Sequence, residues 1–129
     1  METEVLHKEL SYKLTAILFE VQNRLGTVCN EKQYADMLNL ILTAKGIKFE
    51  REKEIPFIFP EGTVRGNRVD FWIEDVIPLD VKAKKYITRE DYFQMKRYLN
   101  ATKRKLGLVV NFKKFPLEIK RVLNPNGEK

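Results

Sequence analysis

The sequence predicts a mixed β-sheet flanked by helices, in the α/β or α+β class. Three observations carry that expectation. Two amphipathic helical stretches open the chain, a series of period-two apolar segments follows, and a strand, helix, strand unit comes near the end. At 129 residues the chain is long enough for one core and short for two, so residues 1–123 are expected to form a single domain and 124–129 a flexible tail.

The first helix is expected over residues 3–25. There Leu6, Leu10, Leu14, Ile17, Leu18, Val21 and Leu25 recur at three- and four-residue spacing, and Gly26 stops the pattern. Asn30 caps a second helix with Gln33 as reciprocal partner, and Tyr34, Met37, Leu38, Ile41 and Leu42 form its stripe. That helix ends near Lys45 and Gly46. Residues 47–59, IKFEREKEIPFIF, read as a strand before the turn residues Pro60, Glu61 and Gly62.

The stretch 68–85, RVDFWIEDVIPLDVKAKK, predicts a strand pair. Val69, Phe71, Ile73, Ile77, Leu79, Val81 and Ala83 are all odd-numbered, and Asp70, Asp80 and Lys82 are even. A two-residue loop at Glu74 and Asp75 would put the two apolar sets on opposite faces, so parity demands a three-residue loop over 74–76 or a bulge near Pro78. Either brings Asp70 close to Asp80. Thr88 with Asp91 then caps a third helix, reaching Lys103 along a seam of Tyr92, Met95 and Leu99. Residues 106–112 read as a buried strand, and 117–123 as a final strand or short helix.

Composition narrows the chemistry. Cys29 and His7 are the only residues of their types, which excludes an intrachain disulfide, cysteine clusters, ordinary zinc sites and most nucleophile–histidine enzymes. No apolar run is long enough to span a membrane, and METEVLHKEL lacks the form of a signal peptide, so a cytoplasmic location is expected. Residues 1–75 hold 10 basic against 13 acidic side chains, whereas 76–129 hold 14 against 5. Such a basic half suits a polyanion, nucleic acid above all, although lysines also simply solvate exposed faces.

Asp80 and Lys82 leave one strand face side by side. With Asp70 across the hairpin, two carboxylates can hold Mg²⁺ or Mn²⁺ while the lysine orients a water or stabilises charge on a phosphate, which is the chemistry of phosphodiester hydrolysis. An exposed Asp/Lys pair of little consequence has the same spacing. Glu31 opens the second helix in line with Tyr34 and Leu38; the helix dipole accounts for it as well as a metal or lysine partner does. Gln94 and Tyr98 share one helical patch, either beside a scissile strand or as ordinary packing residues.

In several segments the chain resembles the small GxxExxY proteins of the PD-(D/E)xK nuclease superfamily, over residues 10–123. The matching pieces are ELSYKLTAILFEVQNRLG, Glu31 with Tyr34 in NEKQY, GIKFEREKEIPF, RVDFWIED, LDVKA, QMKRY, LGLVVNF and LEIKRVL. The resemblance implies a restriction-endonuclease-like core, with Asp70 as first acidic ligand, Asp80 to Lys82 as the (D/E)xK element, Glu31 as the helical acid and Gln94 with Tyr98 as the helix pair. Val28 stands where the family motif has its glycine, and Asp80 where glutamate is common.

These readings converge on a Mg²⁺- or Mn²⁺-dependent nuclease, with DNA preferred to RNA. Asp70 and Asp80 are the expected ligands, Glu31 a ligand or base, and Lys82 the water-positioning group. Lys84, Lys85, Lys96, Arg97, Lys103 and Arg104 are the expected phosphate contacts. A non-catalytic nucleic-acid-binding module and a protein-interaction domain are the alternatives. A homodimer would supply two sites for two strands, though no stretch marks an interface.

Overall fold

The structure, a computed structural model, describes residues 2–128, with side chains from His7 onward, so Leu6 of the predicted stripe lies outside the described side chains. Its elements are α1 (Glu2–Leu25), α2 (Glu31–Ala44), β1 (Phe49–Glu54), β2 (Phe57–Phe59), β3 (Gly62–Val64), β4 (Arg68–Ile73), β5 (Ile77–Lys82), α3 (Arg89–Thr102), β6 (Leu106–Asn111) and β7 (Glu118–Leu123). Five strands form one sheet in the order β1-β4-β5-β6-β7, with β5 and β6 parallel and the other neighbours antiparallel. The α3 crossover makes that parallel pair possible. This is the mixed α/β sheet the sequence predicts.

Each face of the sheet is covered. The α1 stripe of Leu10, Leu14, Ile17, Leu18 and Val21 and the α2 stripe of Tyr34, Leu38, Ile41 and Leu42 bury one face against Phe71, Ile73, Leu79, Val81, Leu108 and Val110. Each fully buried aliphatic side chain contributes about 1.5–3 kcal/mol. Tyr34 stacks on Phe112 at 4.6 Å, and its hydroxyl donates to the Gly26 carbonyl at 2.6 Å, tying α2 to the end of α1. The other face takes α3 through Met95, Tyr98 and Leu99 against Val69, Trp72, Val109 and Val122. Gly107 allows this close approach, because a Cβ there would lie 2.5 Å from the Met95 sulfur.

Both predicted capping boxes form: Asn30 with Gln33 on α2, and Thr88 with Asp91 on α3. The predicted hairpin register forms as well. Ile73 pairs with Ile77, which leaves the three residues Glu74 to Val76 in the loop. Glu74 and Asp75 adopt left-handed φ values of 51° and 61°, the conformation a tight hairpin turn requires.

Three features differ from the sequence pattern. Residues 47–59 do not form one strand. Pro56 has no N–H, so the ladder stops after Ile55, and β2 pairs instead with β3 in a separate two-stranded sheet. The last element resolves as a strand, β7. Finally, the odd-residue parity fails at Val69, which joins the α3 face while Phe71 stays on the α1/α2 face.

The cause lies in the neighbouring strand. Arg51 pairs with Phe71 and Lys53 with Val69, so Glu52 falls opposite Asp70. Glu52 has φ 52°, a left-handed conformation inside a strand, and the regular pair is lost there. Ile55 also lies on the α3 face although Phe49 lies on the other. β1 and β4 therefore turn over together at the level of Asp70. After β7, Asn124 is buried and donates its side-chain amide to the Arg104 carbonyl at 3.1 Å, and the Glu128 N–H donates to the Lys103 carbonyl at 2.8 Å.

Candidate functional site

β4 and β5 pair through Phe71 with Leu79 and then separate. Side chains take over where the ladder ends. The Asp70 N–H donates to Asp80 Oδ1 at 3.0 Å, and the Val81 N–H donates to Asp70 Oδ2 at 2.7 Å. Each carboxylate thus satisfies the backbone of the opposite strand with one oxygen. The wedge exists because β5 continues its ladder with β6, where Asp80 pairs with Val109 and Lys82 with Asn111, while β4 turns over at Asp70.

Two acids this close in a dry setting disfavour double ionisation. Asp80 is 5% exposed, and burial followed by the Asp70 charge pushes its pKa up to about 7. Burial also raises Asp70, which is opposed by the Val81 N–H and the Lys82 charge and reinforced by Glu31 and Glu52. A divalent cation would relieve this repulsion, and the oxygen-only donor set suits Mg²⁺ or Mn²⁺. Among the described residues, no three His, Cys, Asp or Glu side chains converge well enough to hold an ion alone. Water would have to complete the shell, as it commonly does for Mg²⁺.

The α3 side supplies polar neighbours. Lys82 Nζ lies 3.9 Å from Asp91 Oδ1, and Lys84 Nζ lies 2.5 Å from Asp91 Oδ2. Burial alone would raise Asp91, but the Lys84 ammonium and the Thr88 cap hold it below the usual carboxylate range. Gln94 Nε2 donates to the Tyr98 hydroxyl at 2.8 Å, and that hydroxyl donates to the Arg68 carbonyl at 2.9 Å. Tyr98 therefore braces β4 two residues before Asp70. Burial raises its pKa, with Asp80 and Asp70 adding to the effect.

The other expected site residues are not drawn into this cluster equally. Glu31 stands exposed at the start of α2, near enough to act on Asp70 through its charge. Lys85 and Lys103 are exposed, Lys96 is half-buried, and Arg97 is bound to its neighbour Gln94. Arg104 is engaged elsewhere. Its Nε donates to the Asp75 carbonyl at 3.1 Å and its guanidinium lies 5.5 Å from the Trp72 ring centroid, at the hairpin tip.

Three residues join the site without having been expected there, and Asp91, read from sequence only as a cap of α3, is the first, set against Lys82 and Lys84. Asn111 is fully buried, accepts from the Lys84 N–H at 3.1 Å and donates to the Lys84 carbonyl at 2.8 Å, which fixes the strand just past Lys82. A lone polar residue ending the apolar run LGLVV was its only signal. Glu52 gave none, because a glutamate in EREKE is indistinguishable from a solvated strand face.

In comparison with known proteins, a family model described as the PD-(D/E)XK nuclease superfamily fits residues 8–122. No curated protein and no solved structure matches the chain.

Proposed function

The chain belongs to the PD-(D/E)XK nuclease superfamily, with an α/β core of the restriction-endonuclease type, and from that premise we propose that it is a Mg²⁺- or Mn²⁺-dependent nuclease cutting DNA. The GxxExxY proteins are the group within the superfamily to which we assign it, and residues 1–123 are the proposed nuclease domain. The observation that carries this reading is the Asp70–Asp80 clasp beside Lys82.

In this reading, Asp70 and Asp80 are the residues that would hold the metal. The ion would lower the pKa of a water and offset negative charge on the scissile phosphate. Lys82, restrained near Asp91, positions the attacking water and donates from Nζ to the phosphate oxygen as negative charge develops. Glu31, whose charge acts on Asp70 from the start of α2, is the further ligand or the water-orienting base. Gln94 and Tyr98 act as positioning residues, since they reach Asp70 only through the Arg68 carbonyl. Exposed Lys85, Lys103 and Arg97, with half-buried Lys96, contact the phosphate backbone.

A non-catalytic nucleic-acid-binding module is the second reading. It is favoured because, among the described residues, no three carboxylates group closely enough to hold an ion, and because Lys84 is paired with Asp91. Incubation of labelled single- and double-stranded DNA and RNA with Mg²⁺, Mn²⁺ or EDTA separates the two. Metal-dependent cutting that Lys82→Ala and Asp80→Asn both abolish supports the nuclease. Binding without cutting, unchanged in both variants, supports the module.

A further inference from the structure

On the face opposite Asp80, α1 crosses the end of β6 and β7 and leaves a cavity of about 800 Å³. Its floor is apolar, made by Leu106, Leu108 and Ile119. Lys8, Lys105 and Arg121 line its wall, and no carboxylate does so among the described residues. Arg121 is held in place, because it sits opposite Leu108 in the ladder and its Nη1 donates to Ser11 Oγ at 3.1 Å.

The polar side chains along this side of α1 are almost all accounted for. Ser11, Thr15 and Gln22 all have partners: Arg121 for Ser11, the Ser11 carbonyl for Thr15, and the Phe112 and Lys114 carbonyls for Gln22. His7 has none. It lines the cavity, is 6% exposed, and its Nε2 is buried with no hydrogen-bond partner among the described residues. A buried polar nitrogen without a partner costs about 1–3 kcal/mol, so its retention beside a cation-lined cavity points to a ligand.

We propose that this cavity binds a mononucleotide, meaning a phosphate ester with a planar, largely apolar body. The Arg121 guanidinium and the Lys105 and Lys8 ammoniums match a phosphate, the guanidinium in bidentate fashion. The apolar floor and the Tyr12 ring at the rim match the faces of a base, and the His7 side chain lines the cavity beside them. The volume falls in the range of small-molecule pockets, about 300–1,000 Å³. This site is independent of the nuclease reading, being on the other side of the sheet.

His7 is the only histidine in the chain, so its ring-proton NMR signal reports on this cavity alone. Adenosine monophosphate titrated into the full chain in EDTA is expected to shift that signal saturably. Lys105→Ala and Arg121→Gln should each weaken binding about tenfold or more, as loss of one charge-assisted contact requires. Asp80→Asn should leave the affinity unchanged. Lys105 is only half-buried, so its variant tests the site even if Arg121→Gln perturbs the α1 contact. An unmoved His7 signal, binding lost in Asp80→Asn, or inorganic phosphate binding as tightly as the nucleotide would each overturn the proposal.

Discussion

Asp70 and Asp80 each accept a hydrogen bond from the backbone of the other's strand, Asp80 from the Asp70 N–H at 3.0 Å and Asp70 from the Val81 N–H at 2.7 Å. The same two side chains therefore bridge the wedge and present the remaining oxygens to a ligand. Structure and chemistry can be separated by substitution. Asp80→Asn keeps an accepting oxygen and should retain the fold while cutting falls to background. Asp80→Ala leaves the buried Asp70 N–H without a partner and should cost about 1–3 kcal/mol in urea denaturation.

The raised pKa of Asp80 fixes a sign. Between the unfolded value of 3.8 and the folded value of about 7, the native state holds a proton that the unfolded state has released. Stability of the metal-free protein should therefore fall as pH rises through that window, by on the order of 1–3 kcal/mol. Asp80→Asn should flatten the profile and raise the melting temperature at pH 7. Added Mn²⁺ should raise the wild-type melting temperature more at pH 7.5 than at pH 5.5, as expected for a ligand that favours the ionised pair. Thermal melts across pH with and without the ion check both.

Glu52 should prove strained. A glutamate at φ 52° gains nothing from its side chain that glycine would lack in backbone terms, so Glu52→Gly should stabilise the protein by about 0.5–1 kcal/mol. If cutting falls in Glu52→Gln while the melting temperature is unchanged, the carboxylate itself matters through its charge on Asp70.

Tyr98→Phe removes the donor to the Arg68 carbonyl and the acceptor for Gln94. The expected loss is about 1 kcal/mol in stability. Cutting should decline in kcat with little change in KM, since Tyr98 positions β4 and does not touch substrate in the proposed arrangement.

Arg104 and Lys85 should behave oppositely. Arg104 is committed to Asp75 and Trp72, so Arg104→Ala should lower stability by about 1 kcal/mol and leave the salt dependence of DNA binding unchanged. Lys85 is exposed, and Lys85→Ala should leave stability alone and reduce the salt slope by about one. Binding isotherms at several salt concentrations distinguish the two.

Local chemistry was enough to read much of this molecule from its sequence. Apolar spacing determined α1 to α3, side-chain pairs determined both capping boxes, and hydrophobic parity ruled out a two-residue turn, leaving a three-residue loop or a bulge, either of which brings Asp70 to Asp80. Those signals depend on a residue and its neighbours within one turn or one pleat. Tertiary structure alone decided the rest. Asp91 reads as a cap in sequence, and only the packing of α3 on the sheet sets it between Lys82 and Lys84. Arg104 reads as a phosphate contact, and only the hairpin tip folding back beneath it ties it to Asp75. The turnover of β1 and β4 at Glu52 and Asp70 follows from two strands accommodating both faces of the sheet at once, a constraint no single segment carries.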